Sequence, residues 1–231
     1  MKRIIAIGGG SLKEKSTLKI DEYIAGIAKQ HAGDKRAYGL FIGTASHDFM
    51  PYFNSFRKVY TSVFDIKADC LLTVFTESSD EKIDEKFSKA DFIYIGGGDT
   101  LFMLDKWKER GIVDKILNAY NNGVTIVGAS AGAVCWFNQM FTDSQSYNNG
   151  EDKYYLYNGL GVLNGTACPH YNLRLEDFDR AVLENNIQNA YALEDDSAIE
   201  FIDGKFYKSL TSGGNAYEIS LLNGEIIRKK L

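Results

Sequence analysis

Ser130 stands at the centre of Gly128-Ala129-Ser130-Ala131-Gly132, directly after the β-branched run Val124-Thr125-Ile126-Val127 and directly before the apolar stretch Ala133-Val134-Cys135-Trp136-Phe137. Strand, tight turn and helix in that order hold a serine oxygen clear of the backbone, and glycines two residues on either side let strand and helix approach closely. The amino terminus of the following helix, expected over 133–137, favours negative charge developing on a substrate oxygen. Ser130 is therefore the candidate nucleophile. The plainer reading, a glycine–serine turn that only caps a buried helix, is weakened by the correct flanking elements.

A serine nucleophile needs a base, and the chain contains three histidines. His31 closes an amphipathic stretch beside Ala32-Gly33, where a histidine sits in solvent and complements the helix dipole. His47 lies in the loop Thr44-Ala45-Ser46-His47-Asp48 and can face either a site or water. His170 follows Thr166-Ala167-Cys168-Pro169, a turn at the end of a short strand, and is the preferred base. The orienting carboxylate is expected in Glu194-Asp195-Asp196, after the strand-like Ala190-Tyr191-Ala192-Leu193; the alternative for that run is an ordinary solvated turn. The order serine, histidine, acid differs from that of common α/β-hydrolases.

Two backbone N–H groups must also face the developing oxyanion. Ala131 offers one, and the loop Gly96-Gly97-Gly98-Asp99-Thr100 the other, with Asp99 or Thr100 capping the next helix. Neither this triplet nor Gly8-Gly9-Gly10 completes a dinucleotide fingerprint, because Leu101 and Lys13 stand where its last glycine belongs.

These residues require a scaffold of βα units. Strand-like runs at 3–7, 38–42, 70–75, 91–95 and 124–127 alternate with helical periodicity around 18–28, 52–63, 80–89, 101–108 and 113–120. That alternation predicts an α/β fold with a mainly parallel sheet, helices on both faces, and function at the carboxyl ends of the strands. Residues 143–158 are rich in Asn, Ser, Tyr and Gly and are expected to form a loop or lid; 176–189 is expected to be helical. Short strands separated by Asp203-Gly204, Gly213-Gly214 and Asn223-Gly224 predict carboxy-terminal β-hairpins. No linker divides the chain, so residues 1–231 are expected to form a single domain.

Composition narrows the setting. With 231 residues, 45% hydrophobic and 25% charged, the chain can bury a sizeable core. The formal net charge of −5 and the lack of a run of four basic residues argue against nucleic acid. Cys70, Cys135 and Cys168 form neither a CxxC pair nor a zinc pattern and suit a reducing cytoplasm. Residues 4–7 are too short for the apolar core of a signal peptide. The uncharged stretch 116–142 contains Asn118, Asn121, Asn122, Asn138 and Gln139, and reads as buried strand and helix, not as a membrane span.

Taken together, Ile95-Gly96-Gly97-Gly98-Asp99-Thr100, Gly128-Ala129-Ser130-Ala131-Gly132-Ala133 and Pro169-His170-Tyr171-Asn172 resemble the peptidase E family of serine dipeptidases and, more distantly, the cyanophycinases. The resemblance implies a fold like that of class I glutamine amidotransferases and removal of amino-terminal aspartate from dipeptides, without metal or cofactor. By resemblance Ser130 matches the nucleophile, His170 its base, and Gly98 with Ala131 the oxyanion donors. The family's glutamate aligns with Asp195, one methylene shorter, with Glu194 as the alternative. Arg174 resembles the arginine that receives the substrate aspartate, Asp143 is the nearest match to a second acidic residue, and Asp99 is counted as a further substrate-binding candidate. A glutamine amidotransferase is disfavoured, since those enzymes carry cysteine where Ser130 stands. The expected partner is a small peptide, with no nucleic acid and no membrane; the oligomeric state, monomer or homo-oligomer, stays open. The competing readings are an esterase or amidase on the same machinery, and a non-catalytic protein that binds a small ligand.

Overall fold

A computed structural model describes residues 1–75, 79–146 and 153–231 of the chain. Five strands form the parallel centre of the first sheet: β1 (Arg3–Ile7), β2 (Tyr38–Ile42), β3 (Lys67–Leu71), β4 (Phe92–Ile95) and β5 (Thr125–Ala129). Their order is β1-β5-β4-β2-β3, and the antiparallel strands β10 (Ser197–Ile202) and β11 (Lys205–Thr211) extend the edge beside β1. β2, β4 and β5 are buried throughout and β1 from Ile4 onward, as expected for strands covered on both faces.

The amphipathic helices supply those covers. α1 (Leu18–Ala32) and α2 (Met50–Ser62) bury Ile20, Ile24, Phe53 and Phe56 against one face. On the other, α3 (Asp80–Lys89), α4 (Thr100–Glu109) and α5 (Ile112–Asn121) bury Ile83, Phe87, Met103, Trp107 and Ile116. The strand expected at 70–75 runs instead at Lys67–Leu71. The reason is local: the N–H groups of Thr73 and Val74 both donate to Asp48 Oδ2 at 2.6 Å, which takes the chain out of the sheet.

A second, mixed sheet was not anticipated. It contains β6 (Phe137–Thr142), β7 (Tyr155–Asn158), β8 (Leu163–Cys168), β9 (Ala190–Leu193), β12 (Ala216–Leu222) and β13 (Glu225–Lys230), in the order β13-β12-β9-β8-β6-β7. Phe137, Met140, Tyr191 and Leu193 pack into the same core as Ile4, Ile126 and Phe201 of the first sheet. The four hairpin-forming strands thus divide, β10–β11 completing one sheet and β12–β13 the other. The outer face of the second sheet is covered by α7 (Tyr171–Glu184), through Tyr171, Phe178 and Val182. α7 begins five residues before the helix expected at 176–189.

The helix expected at 133–137 is shorter, a single turn α6 (Ala131–Val134). The carbonyl of Cys135 accepts from Leu160 N–H at 2.7 Å, and that of Trp136 from Val162 and Leu163 at 2.9 Å, so both carbonyls are engaged by the strand-bound segment and the chain passes into β6. The segment read as a loop or lid ends in β7, and its residues 147–152 lie outside the described residues. Cys70, Cys135 and Cys168 are free thiols. Among the described residues no helix is long and apolar enough to cross a membrane.

Candidate active site

Ser130 lies where β5 ends, with φ 51° and ψ −112°, a positive φ that L-residues rarely adopt. Its N–H donates to the Ile7 carbonyl of β1 at 2.9 Å, and its carbonyl accepts from Ala133 and Val134 N–H at 2.9 and 3.0 Å. The turn is tight enough to demand the flanking glycines. A Cβ on Gly128 would fall 1.9 Å from the Gly132 carbonyl oxygen, and one on Gly132 2.4 Å from that of Ile95. Local sequence therefore produces the strained serine, and both sheet neighbours hold it.

His170 precedes α7 in a left-handed conformation, φ 52° and ψ 39°, and its N–H donates to the Gly8 carbonyl at 3.0 Å. Its ring bridges two groups: Nε2 lies 2.8 Å from Ser130 Oγ and Nδ1 lies 2.6 Å from Asp195 Oδ1. The network assigns the ring proton to Nδ1, facing the carboxylate, which leaves Nε2 to accept from the serine hydroxyl. The side chains of His170 and Asp195 are 26% and 31% exposed, so the pair sits in an open cleft that a substrate can reach.

Of the three acidic residues expected to contain the partner, only Asp195 meets His170. Glu194 turns away. Its Oε2 accepts from the N–H and side-chain amide of Asn215, both at 2.8 Å, and its Oε1 from the Tyr217 hydroxyl at 3.3 Å, so it joins β9 to β12. Asp196 accepts from Ser16 Oγ at 2.5 Å. Asp99 takes the capping role expected of it or of Thr100. Its Oδ1 accepts from Phe102 N–H at 3.1 Å, which makes it the N-cap of α4.

Two groups that sequence reasoning missed secure the acid. Asn172 clamps Asp195 from both sides, its Oδ1 accepting from Asp195 N–H at 3.0 Å and its Nδ2 donating to Asp195 Oδ2 at 3.2 Å. Gly9 lies against both members of the pair, for a Cβ there would fall 1.9 Å from Asp195 Oδ1 and 2.4 Å from the His170 ring. The signal for Asn172 was its place two residues after the histidine; for Gly9 it was the triplet closing β1.

A hollow of about 300 Å³ opens in front of Ser130 and His170, bordered by Gly97, Gly98, Asp143 and Arg174. Gly98 reaches it with φ 139°. Ala131 is buried at the first position of α6, where its N–H has no partner within the helix. Arg174 lies one turn beyond His170 on α7, its side chain only 7% exposed. Its Nη2 donates to Asp143 Oδ2 at 3.0 Å, and its guanidinium stacks over Tyr154 at 4.6 Å. Ser144, the next residue, anchors this corner by accepting from Thr100 N–H at 2.8 Å. The other histidines are elsewhere: His31 pairs with Asp91 at 2.8 Å, and the ring of His47 packs on Phe102 with centroids 4.0 Å apart.

Known proteins share this arrangement of elements. The chain is 32% identical to the uncharacterized peptidase YgaJ of Bacillus subtilis (strain 168) over 235 residues, covering 98% of this chain and 95% of that one. It is 35% identical over 102 residues to the uncharacterized peptidase Lin0382 of Listeria innocua serovar 6a, covering 44% and 48% of the two chains. Among solved structures, a peptidase from an acI-B1 Actinobacterium superposes with a TM-score of 0.67 at 16% identity, covering 99% of this chain and 97% of that one. A candidate peptidase E from Listeria monocytogenes EGD-e superposes with a TM-score of 0.61 at 20% identity, covering 100% and 99%. These two show a common fold. The model of Peptidase family S51 matches residues 4–208. With that match and a full-length relative, the chain belongs to peptidase family S51, the peptidase E family, and is a peptidase.

Proposed function

We propose that this peptidase is of the serine type and removes the amino-terminal residue of short peptides by acyl transfer through Ser130. The observation that carries the reading is the bridging position of His170, 2.8 Å from Ser130 Oγ and 2.6 Å from Asp195 Oδ1. His170 Nε2 takes the proton as Ser130 Oγ attacks the scissile carbonyl, and returns it to the leaving amine. Asp195 holds the Nδ1–H tautomer and stabilises the imidazolium that forms. Water, activated by the same imidazole, then releases the acyl group. Gly98 and Ala131 supply the oxyanion N–H groups, each worth roughly two to three orders of magnitude in turnover.

The substrate class is read from the pair of opposite charges beside the nucleophile, buried Arg174 and half-buried Asp143. An amino-terminal aspartate presents an ammonium and a carboxylate close together, and Asp143 and Arg174 offer the complementary charges 3.0 Å apart. Peptides beginning with aspartate are therefore the preferred substrates. The direct test is labelling by a fluorophosphonate together with turnover of Asp-Ala, Ala-Ala and Leu-Ala dipeptides. Ser130→Ala is expected to lose both labelling and turnover with an unchanged thermal midpoint. Undiminished turnover in that variant overturns the reading, and equal rates on the three dipeptides remove the aspartate preference.

A further inference from the structure

A second cavity, of about 690 Å³, adjoins the catalytic hollow, and Gly10 and Tyr52 line both. Its walls come from the loop between β1 and α1 and from one face of α2, where Pro51, Ser55 and Lys58 recur at helical spacing. Three cationic side chains, Lys13, Lys15 and Lys58, border it, and none of its lining residues is acidic. Lys13 lies 3.8 Å from Glu14 with both side chains strongly exposed, a contact too solvated to neutralise it. Lys15 and Lys58 make no ion pair among the described residues. In a chain whose formal net charge is −5, three lysines around one hollow with no acidic residue in its lining form a local field of the opposite sign, which attracts anions. Phe49, 60% exposed on the same rim, offers an apolar surface for the body of such a ligand.

We infer that this cavity receives the part of a peptide substrate beyond the scissile bond, and that Lys13, Lys15 and Lys58 select tails carrying acidic side chains and a free carboxylate. The direction of the chain rests on the proposed function. Arg174 and Asp143 border the catalytic hollow and not the lysine-lined cavity, so a peptide with its amino-terminal residue on that pair leaves past Gly10 and Tyr52 toward the lysines. The preferred substrates are thus acidic peptides of three or more residues, with the released portion lodged among the lysines.

Binding to the Ser130→Ala protein tests this independently of turnover. By calorimetry Asp-Ala-Glu is expected to bind about tenfold more tightly than Asp-Ala-Lys, with the difference shrinking as salt is raised. Adding Lys15→Glu and Lys58→Glu, both at exposed positions, is expected to reverse the order with the thermal midpoint unchanged. Equal affinities, binding of neither peptide, or a preference that survives the charge reversal overturns the inference. If the wild type cleaves neither Asp-Ala nor Asp-Ala-Glu while the Ser130→Ala protein keeps the preference, the proposed function fails and the acidic-tail subsite stands.

Discussion

Gly9 and Asp195 are in contact so close that no side chain fits between them: a Cβ on Gly9 would stand 1.9 Å from Asp195 Oδ1. Gly9→Ala must therefore displace the carboxylate or the His170 ring, and a displacement near 1 Å costs about a hundredfold in turnover. Gly26 is the control. It lies inside α1 with nothing within 4 Å of its would-be Cβ, so Gly26→Ala is expected to add about 0.5–1 kcal/mol of stability by helix propensity and to keep its activity. Steady-state kinetics and denaturant unfolding on both variants check the contrast.

Asp195 and Glu194 are adjacent, and their substitutions separate their roles. Asp195→Asn is expected to lower kcat by about four orders of magnitude, because the amide no longer fixes the Nδ1–H tautomer. Asn172→Ala, which removes the clamp on the same carboxylate, is expected to cost about tenfold in kcat with KM unchanged. Glu194→Gln is expected to leave turnover within about twofold and to lower stability by about 1 kcal/mol through its bonds to Asn215 and Tyr217.

Arg174→Met keeps the length of the side chain and removes its charge. For Asp-Ala the expected result is a loss of about ten- to a hundredfold in kcat/KM, the worth of one charge-assisted contact, with little change for Leu-Ala. A uniform loss across both dipeptides would assign Arg174 to structure alone.

Asp21 provides a pH test away from the site. It is fully buried under α2, where it accepts from Thr17 Oγ1 and the Tyr60 hydroxyl, both at 2.8 Å. Burial raises its carboxyl from 3.8 to about 6, so between those values the folded state binds more protons than the unfolded chain. Its contribution to stability is full below pH 3.8 and is lost as pH rises through about 6. The shift corresponds to about 3 kcal/mol. Unfolding free energies of the wild type and Asp21→Asn, compared between pH 4 and 7, are expected to move against each other by that order, the wild type falling relative to the variant as pH rises.

The residues legible in the sequence were those whose signal is local. The strained turn at Ser130 announces itself through glycines two positions away, and the helices through their periodicity. The choice of Asp195 over Glu194 came from the family resemblance and not from local pattern, because adjacent residues leaving a strand point to opposite sides, and the registers of β9 on β12 and of β10 on β1 decide which side holds His170. Gly9 was illegible for a related reason, since its partner is far along the chain and nothing near it in sequence names that partner. Asp99, by contrast, carried two compatible local readings, and the capping one holds. The second sheet was hidden because β6 follows a one-turn helix and pairs with β7, inside the polar segment 143–158, and with β8 beyond it.

The catalytic groups do not share one sheet. Ser130 rides on the end of β5 in the first, His170 follows β8 in the second, and Asp195 occupies the crossing from β9 of the second to β10 of the first. The line from nucleophile to acid thus spans the seam along which Phe137, Tyr191 and Phe201 pack their rings. Hydrolysis becomes a strain gauge for that seam: a small slippage of one layer over the other opens the proton path before any strand is lost. On mild denaturation, turnover should fade ahead of circular dichroism, and truncating Phe201 should widen the interval between the two.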